Sequence, residues 1–193
     1  MRFFCRTVFA NFIMMTSLVI RRLELTKIVI QMKTIKKEIA ISAPKEKVWA
    51  ILMDDNYNRD WYSIFSPGTY AKTDWIEGHK VRFIDETENG MLGRITSKKP
   101  YEYMSIVYDG IVSDGNDDEE SPMAVAMKGA QEIYELKDNN GVTTLSISAD
   151  MDDEYYEEMS DSWEKALQRI LELTIAMANN PALNHNAEPE ANI

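Results

Sequence analysis

The sequence predicts an α+β fold in which a long C-terminal helix covers one face of an antiparallel sheet. Three observations lead to this prediction. Residues 153–178 are apolar at helical spacing, about six earlier segments have strand-like alternation between turn residues, and the two kinds of segment are largely segregated along the chain. A helix of this length spans about 39 Å, so it needs a sheet against which to bury its apolar face.

The C-terminal helix is predicted from its two faces. Glu164, Lys165 and Gln168 lie opposite the apolar positions at 100° per residue. Carboxylates precede the helix, where its dipole favours negative charge, and the Asn-Asn-Pro sequence at residues 179–181 predicts its end. The apolar face consists of Met159, Trp163, Ala166, Leu167, Ile170, Leu173, Thr174 and Met177.

The earlier elements are predicted from alternation and turn chemistry. Residues 33–42 alternate as a first strand, and Pro44 then favours the start of a short helix that ends near Asp54. Residues 56–65 are aromatic and predict a second short helix or a loop. Asn-Gly pairs that end at Gly90 and Gly141 predict two tight hairpins. The remaining strands are predicted at residues 69–76, 80–86, 91–97, 102–108, 130–137 and 142–149.

One segment, residues 110–129, does not follow the strand pattern. Its first half is rich in Asp and Glu and is interpreted as a solvated loop, with weak binding of a divalent cation as the alternative. Its second half begins with Ser121 and Pro122, which favour a helix of one or two turns. A connection of this length is typical of binding elements or disordered segments.

Residues 1–31 differ from the rest of the chain. They carry a net charge of +4, whereas the remaining residues carry −15. Their apolar run over residues 8–20 resembles a secretion signal, but Arg21 and Arg22 interrupt it and no small-residue cleavage site follows. We predict that residues 1–31 lie outside the folded domain, with a real signal or anchor as the alternative. The domain is predicted at residues 32–178, and residues 179–193 are predicted to be a disordered tail.

Composition narrows the range of functions. The acidic body of the protein would repel phosphate groups, which argues against nucleic-acid binding and against docking on anionic membranes. Cys5 lies in the basic leader, so the domain itself has no disulfide and no thiol-ligated metal site. His79 and His185 are far apart in the predicted fold and offer no zinc-ligand spacing. We therefore predict no metal and no cofactor, and a cytoplasmic location.

Five local motifs in the predicted domain together resemble the SRPBCC or START-like superfamily, and within it the branch related to the activator of Hsp90 ATPase. Each motif is short, but their order and spacing over residues 32–178 are specific. The motifs are Ala43-Pro44-x-x-x-Val48-Trp49, Trp61-Tyr62, Gly78-x-x-Val81-Arg82-Phe83, Gly93-Arg94-Ile95-Thr96 followed by Lys99-Pro100-Tyr101-Glu102-Tyr103, and Ser162-Trp163 followed by Leu167 and Leu171.

The resemblance implies a helix-grip fold, START-like or Bet v 1-like, in which a curved antiparallel sheet wraps around the C-terminal helix and leaves a cavity. Members of the superfamily bind hydrophobic small molecules or lipids, act as cyclases or hydrolases, or assist Hsp90. Two departures stand out. Residues 110–129 are an insertion, and the further N-terminal domain of eukaryotic Hsp90 activators has no counterpart here, which weakens the transfer of a co-chaperone role.

From this resemblance we predict that the protein binds a small hydrophobic or amphipathic molecule between the sheet and the helix. The alternatives are a chaperone accessory protein with a protein partner, and a cyclase or hydrolase that uses a cavity carboxylate. Met123 and Met127 would suit an adaptable lid. The residues predicted to line the cavity, for which ordinary core packing is the competing interpretation, are Trp61, Trp75, Phe83, Met104, Tyr108, Tyr134, Trp163, Leu167 and Ile170.

No catalytic residue is predicted from the sequence. His79, beside Gly78 at a strand start, is interpreted as a surface histidine rather than a catalytic base. Glu102 and Glu132 lie on predicted strands and would have a raised pKa if they faced inward, as an acid catalyst requires. The pattern leaves their direction open, and a raised pKa at Glu102, Glu132 or Asp85 would favour the enzyme interpretation.

Overall fold

The structure is a computed structural model that describes residues 32–179. The predictions made for residues 1–31, including Cys5, and for residues 180–193, including His185, lie outside the described residues. Within the described range the strands are β1 (Met32–Ile41), β2 (Tyr70–Lys72), β3 (Lys80–Ile84), β4 (Gly90–Lys99), β5 (Tyr103–Ser113), β6 (Asn116–Asp118), β7 (Gln131–Asn139) and β8 (Val142–Asp152). The helices are α1 (Lys45–Met53), α2 (Asp55–Tyr62), α3 (Pro122–Met127) and α4 (Tyr156–Asn179).

The strands form one antiparallel sheet in the order β1-β8-β7-β5-β4-β3-β2, and β6 pairs with β5. β1 and β8 pair without interruption from Met32 opposite Asp152 to Ile41 opposite Thr143. The register of β4 against β5 shifts twice, between Leu92 and Gly93 and again between Ile95 and Ser97, and such bulges bend a strand. The sheet curls around the C-terminal helix, which confirms the predicted helix-grip fold.

Alternate residues of each long strand supply the core. On β8, for example, Thr143, Leu145, Ile147 and Ala149 are buried while their neighbours are partly exposed. This period of two is the one expected for a sheet with one covered face. The inner face of the curled sheet therefore carries the core, and the helices pack against it.

The C-terminal helix α4 buries most of the predicted face, although Met159 and Leu173 are only partly buried. Asp152 accepts a hydrogen bond from the backbone N–H of Glu154, and a short 3₁₀ turn over Asp153–Tyr155 leads into α4, so the helix starts slightly later than expected. On the exposed side the Arg169 guanidinium donates to both oxygens of Asp60 at 2.6 and 2.8 Å, which joins α4 to α2. The fully covered residues are Trp163, Ala166, Leu167, Ile170, Thr174 and Met177.

The two short helices α1 and α2 set the position of one aromatic pair. Pro44 precedes α1, and the Asp54 carboxylate caps α2 by accepting a hydrogen bond from the backbone N–H of Asn56 at 2.9 Å. The indole N–H of Trp61 donates to the Ile51 carbonyl at 3.1 Å, which fixes the end of α2 against α1. Tyr62, the last residue of α2, is thereby held against the inner face of the sheet.

The prediction of a strand over residues 69–76 is wrong in its length. β2 covers only Tyr70–Lys72, and the chain then turns through Trp75, whose φ is +58°. The Thr73 hydroxyl accepts from the Trp75 N–H, and the Asp74 carboxylate accepts from the Ile76 N–H, so side chains replace the strand hydrogen bonds here. A bulky residue with positive φ is uncommon, and strand propensity at Trp75 gave no sign of it.

The acidic half of residues 110–129 is not a solvated loop. β5 continues to Ser113, a tight turn forms at Asp114 and Gly115 with φ of +47° and +77°, and β6 pairs back on β5. Asp117 on β6 accepts hydrogen bonds from Arg82 at 2.7 Å and from Lys80 at 2.9 Å. The second half forms α3 as predicted, with Ser121 as its N-cap.

Candidate functional site

A carboxyl group lies inside the fold, on the inner face of β7. Glu132, Tyr134 and Leu136 alternate with outward residues along this strand, and Glu132 is only 8% exposed. Buried glutamates are rare unless they are paired. The surroundings of Glu132 therefore identify the most unusual chemical environment in the described part of the chain.

Two tyrosines donate hydrogen bonds to this carboxyl group. The Tyr108 hydroxyl donates to Glu132 Oε2 at 2.7 Å, and the Tyr134 hydroxyl donates to Glu132 Oε1. Ile106 stands opposite Glu132 in the β5–β7 ladder, so Tyr108, two residues further on, reaches it diagonally. Each carboxyl oxygen thus accepts one hydrogen bond, from Tyr108 on the neighbouring strand β5 and from Tyr134 on β7 itself, and the two bonds fix the position of the carboxyl group.

A third hydroxyl lies beside these groups without a hydrogen-bond partner among residues 32–179. It belongs to Tyr62, which α2 brings to the inner face and which is 4% exposed. Tyr134 lowers the pKa of Tyr62 as a hydrogen-bonding neighbour does, but the Tyr62 oxygen has no partner within ordinary hydrogen-bond distance and angle. An unpaired buried hydroxyl costs about 1–3 kcal/mol. We call Glu132, Tyr62, Tyr108 and Tyr134 the Glu132 cluster.

Burial controls the ionisation of the Glu132 cluster. Desolvation raises the pKa of Glu132, although the hydrogen bonds from Tyr134 and Tyr108 act in the opposite direction. Desolvation, together with the nearby Glu132 carboxylate, also raises the pKa of Tyr62, Tyr108 and Tyr134 well above the usual range. The tyrosines therefore stay protonated donors, and Glu132 holds a proton at higher pH than an exposed glutamate does.

Aromatic rings surround the cluster. The Tyr62 ring centroid lies 3.8 Å from that of Trp61 and 5.3 Å from that of Phe83, and Phe83 lies 6.4 Å from Tyr108. On the other side Tyr134 and Trp163 are 6.0 Å apart. The carboxyl group thus lies in an aromatic part of the core, where its burial limits contact with water.

The structure brings together eight of the nine residues predicted to line a cavity. These eight are less than a tenth exposed and belong to one core cluster, in which their side chains pack together. Trp75 is only partly buried and lies in the turn after β2. Of the two predicted lid residues, Met127 packs against the core, whereas Met123 is 67% exposed. The eight residues are Trp61, Phe83, Met104, Tyr108, Tyr134, Trp163, Leu167 and Ile170.

Sequence reasoning named Tyr108 and Tyr134 as lining residues but did not select Tyr62 or commit to Glu132. The other carboxylates considered as acids are unsuitable. The hydrogen bond from Lys45 lowers the pKa of exposed Glu102, and hydrogen bonds from Thr87 and Ser66 lower that of Asp85. His79 is an exposed residue whose Nδ1 lies 2.7 Å from Asp74.

Other sites are less developed in the described part of the chain. Among residues 32–179 no three His, Cys, Asp or Glu side chains are grouped so as to hold a metal ion. The helices in the same range are all too short or too polar to cross a membrane. Two surface depressions, of about 630 and 440 Å³, contain none of the predicted lining residues. They lie at the turn between β2 and β3 and along the outer side of α4, and neither reaches the Glu132 cluster.

Comparisons with known proteins agree with this architecture. The solution structure of the Aha1 dimer from Colwellia psychrerythraea is 14% identical, with 70% of this chain and 91% of that chain covered and a TM-score of 0.54. CalU16 from Micromonospora echinospora is 18% identical, with coverages of 81% and 82% and a TM-score of 0.54. DynU16, from the dynemicin biosynthetic locus, is 12% identical with a TM-score of 0.54, and the match covers 72% of this chain but only 46% of DynU16.

At these identities the solved structures show a shared fold and nothing more. No curated protein matches the sequence. The family model for the activator of Hsp90 ATPase homolog 1-like protein matches residues 42–175, which include α1, the whole sheet beyond β1 and most of α4. This match spans more than half of the chain, and the chain therefore belongs to the activator of Hsp90 ATPase homolog 1-like family within the SRPBCC superfamily.

Proposed function

We propose that this protein binds a small hydrophobic or amphipathic molecule between the sheet and α4, with the polar part of the molecule at the Glu132 cluster. One observation carries the proposal: a buried carboxyl group sits with three tyrosine hydroxyls, one of them unpartnered, among apolar side chains. A core that only had to be stable would be better served by apolar residues at these positions. Perturbed polar groups inside a fold are the usual mark of a binding or catalytic site.

Entry of the molecule requires side chains to move, because the lining residues pack together in this structure. The segment best placed to open is α3. Met127 packs against the core, and Gly129, with φ of +88°, donates its N–H to the carbonyl of Tyr108 at 2.9 Å. Movement of α3 would therefore act directly on the strand that carries a cluster tyrosine, which supports the assignment of Met123 and Met127 to a lid.

The first experiment is a thermal-shift and native mass-spectrometry screen of the purified protein against apolar and amphipathic compounds. Tyr62→Phe sharpens the screen, because it removes only the unpartnered hydroxyl. We expect this variant to be as stable as the wild type or more stable by about 1 kcal/mol, and to bind each hit about three- to tenfold more weakly.

The control for this variant is Tyr155→Phe, which alters a tyrosine that is 51% exposed and should leave binding unchanged. A library without hits, or hits whose affinity is the same for Tyr62→Phe as for the wild type, would contradict the proposed site.

A second candidate function is acid catalysis by Glu132, of the cyclase or hydrolase type. The raised pKa of this carboxyl group favours it, because a proton donor must remain protonated near the working pH. Bound compounds would be incubated with the protein and analysed for products by mass spectrometry. Turnover that disappears in Glu132→Gln while binding remains would support catalysis, and unchanged compounds after long incubation would contradict it.

A third candidate function, a chaperone accessory role, is favoured by the surface of α3. Met123 is 67% and Val125 57% exposed on this helix, as expected of an apolar contact surface for a protein. The test is the ATPase rate of purified Hsp90 with and without this protein. Stimulation that is lost when both residues are changed to Ser would support the role, and an unchanged ATPase rate would contradict it.

A further inference from the structure

Glu132 lacks a cationic partner. The groups that act on its pKa are burial and the two hydrogen-bonding tyrosines, and within residues 32–179 no Lys, Arg or His side chain pairs with it. Other buried or half-buried acids of the sheet do have such partners, for example Asp117 with Arg82 and Asp109 with Arg94. Glu132 is thus a buried acidic residue without a positively charged partner among the described residues.

The surroundings of Glu132 suit an organic cation. Tyr108 and Tyr134 reach the carboxyl group through their hydroxyls, and the rings of Trp61, Tyr62 and Phe83 pack against those two rings and one another. Aromatic rings attract ammonium groups electrostatically. The apolar residues of α4 continue the wall beyond the rings and would contact a hydrocarbon portion. A metal ion would need several oxygen ligands, whereas here the two carboxyl oxygens are already accepting hydrogen bonds from tyrosines.

The charge of the ligand can be argued from the same groups. An anion would meet a buried carboxyl group with no base beside it, and the like charges would repel. A neutral head group could pair with the Tyr62 hydroxyl but would leave the ionised form of Glu132 without a positively charged partner. The net charge of −15 on the chain beyond residue 31 also attracts cations toward the protein from solution.

We infer that the ligand of this site carries a positive charge, as an amine or alkylammonium group that pairs with Glu132 inside the ring of aromatic side chains. This inference rests on the proposed function and adds the chemical class of the ligand. Burial favours the protonated form of Glu132, and a paired cation favours its ionised form. The titratable groups that face Glu132 are Tyr62 from α2, Tyr108 from β5 and Tyr134 from β7, and all three remain protonated throughout.

The test compares three compounds that share one apolar body and differ in charge: 4-phenylbutylamine, 4-phenylbutan-1-ol and 4-phenylbutyrate. Dissociation constants are measured on the full chain by tryptophan fluorescence and by calorimetry. We expect the amine to bind at least about tenfold more tightly than the alcohol, and the carboxylate to bind most weakly.

Two matched variants locate the effect. In Glu132→Gln the preference for the amine over the alcohol should fall to about one, whereas Glu102→Gln, which removes an exposed carboxylate, should leave the preference intact. If Glu132→Gln fails to fold, the ranking of the three compounds on the wild-type protein still tests whether the site prefers a cation.

Equal affinity for amine and alcohol overturns the inference while leaving the proposed binding site standing. A preference that survives in Glu132→Gln also overturns it, because the cation would then bind the acidic surface. Binding by none of the three compounds overturns it as well, and the separate compound screen then decides whether the binding function itself is wrong.

Discussion

The carboxyl groups of Glu132 and Asp117 lie on opposite faces of the sheet, and their surroundings shift their pKa values in opposite directions. On the outer face Asp117 accepts hydrogen bonds from Arg82 and Lys80, and the Arg82 hydrogen bond above all lowers its pKa. On the inner face Glu132 has only tyrosine partners, and burial raises its pKa. The outer carboxylate stabilises the fold by being ionised, whereas ionisation of the inner one opposes folding, which is the pattern of a group retained for function rather than stability.

The largest expected effect comes from breaking the aromatic wall of the inner face. Trp61 is fully buried, contacts Tyr62, Tyr134 and Trp163, and donates a hydrogen bond to Ile51. Trp61→Ala should lower the free energy of unfolding by about 3–5 kcal/mol, because it leaves a large cavity. Urea denaturation measures this change.

Trp75→Ala is the matched control for Trp61→Ala, since it removes the same side chain from the partly buried turn after β2. We expect this substitution to lower the free energy of unfolding by about 1 kcal/mol. A loss from Trp75→Ala as large as that from Trp61→Ala would show that the inner wall is not the main support of the fold.

A smaller effect is expected from neutralising the inner carboxyl group. The folded-state pKa of Glu132 lies above its unfolded-state value, so the folded protein holds more protons between the two values. Stability therefore falls as pH rises through this interval, and the full loss is present above the folded-state pKa. Glu132→Gln removes the loss and should raise the free energy of unfolding by about 1–2 kcal/mol near pH 8, with little difference from wild type near pH 4.

Thermal denaturation of the wild type and Glu132→Gln over this pH range provides the measurement. The control is Glu102→Gln, whose carboxylate is exposed and paired with Lys45, so that its replacement should be neutral or slightly destabilising. If Glu132→Gln is less stable than the wild type near pH 8, the tyrosines stabilise the ionised form more than burial opposes it, and the contrast with Asp117 disappears.

Much of the fold could be predicted from the sequence because hydrophobic periodicity and turn residues determine the structure of short segments. The amphipathic pattern around Trp163 and the Asn140-Gly141 turn, with φ of +55° and +87°, both have the predicted structure. The turn at Asp114-Gly115 has the same left-handed geometry and the same kind of sequence, but it was missed because the surrounding carboxylates were interpreted as a solvated loop. The partners that neutralise Asp117 come from β3, which no local pattern reveals.

The site was harder to predict than the fold because it is assembled from residues that are distant in the sequence. Glu132 shares its face of β7 with Tyr134 and Leu136, but the spacing of these residues alone left open whether that face is the inner one. The burial of Glu132 and its lack of a base depend on how β5, α2 and α4 close around it. Tyr62 reaches the cluster only because Trp61 ties α2 to α1, and such tertiary placement leaves no mark in the spacing of the residues.

The smallest effect is expected on the outer face. The folded-state pKa of Asp117 lies below its unfolded-state value, so its stabilising contribution is present above the unfolded-state value and is lost as pH falls through the folded-state value. Asp117→Asn should lower the free energy of unfolding by about 0.5–1 kcal/mol near neutral pH, a modest amount because Lys80 is well exposed and solvent screens the pair. The difference should shrink in about 1 M salt, whereas the effect of Glu132→Gln should not, because buried groups are screened less. Denaturation of both variants at low and high salt measures this contrast, and an equal salt response of the two would mean that water and ions reach Glu132 as freely as they reach Asp117.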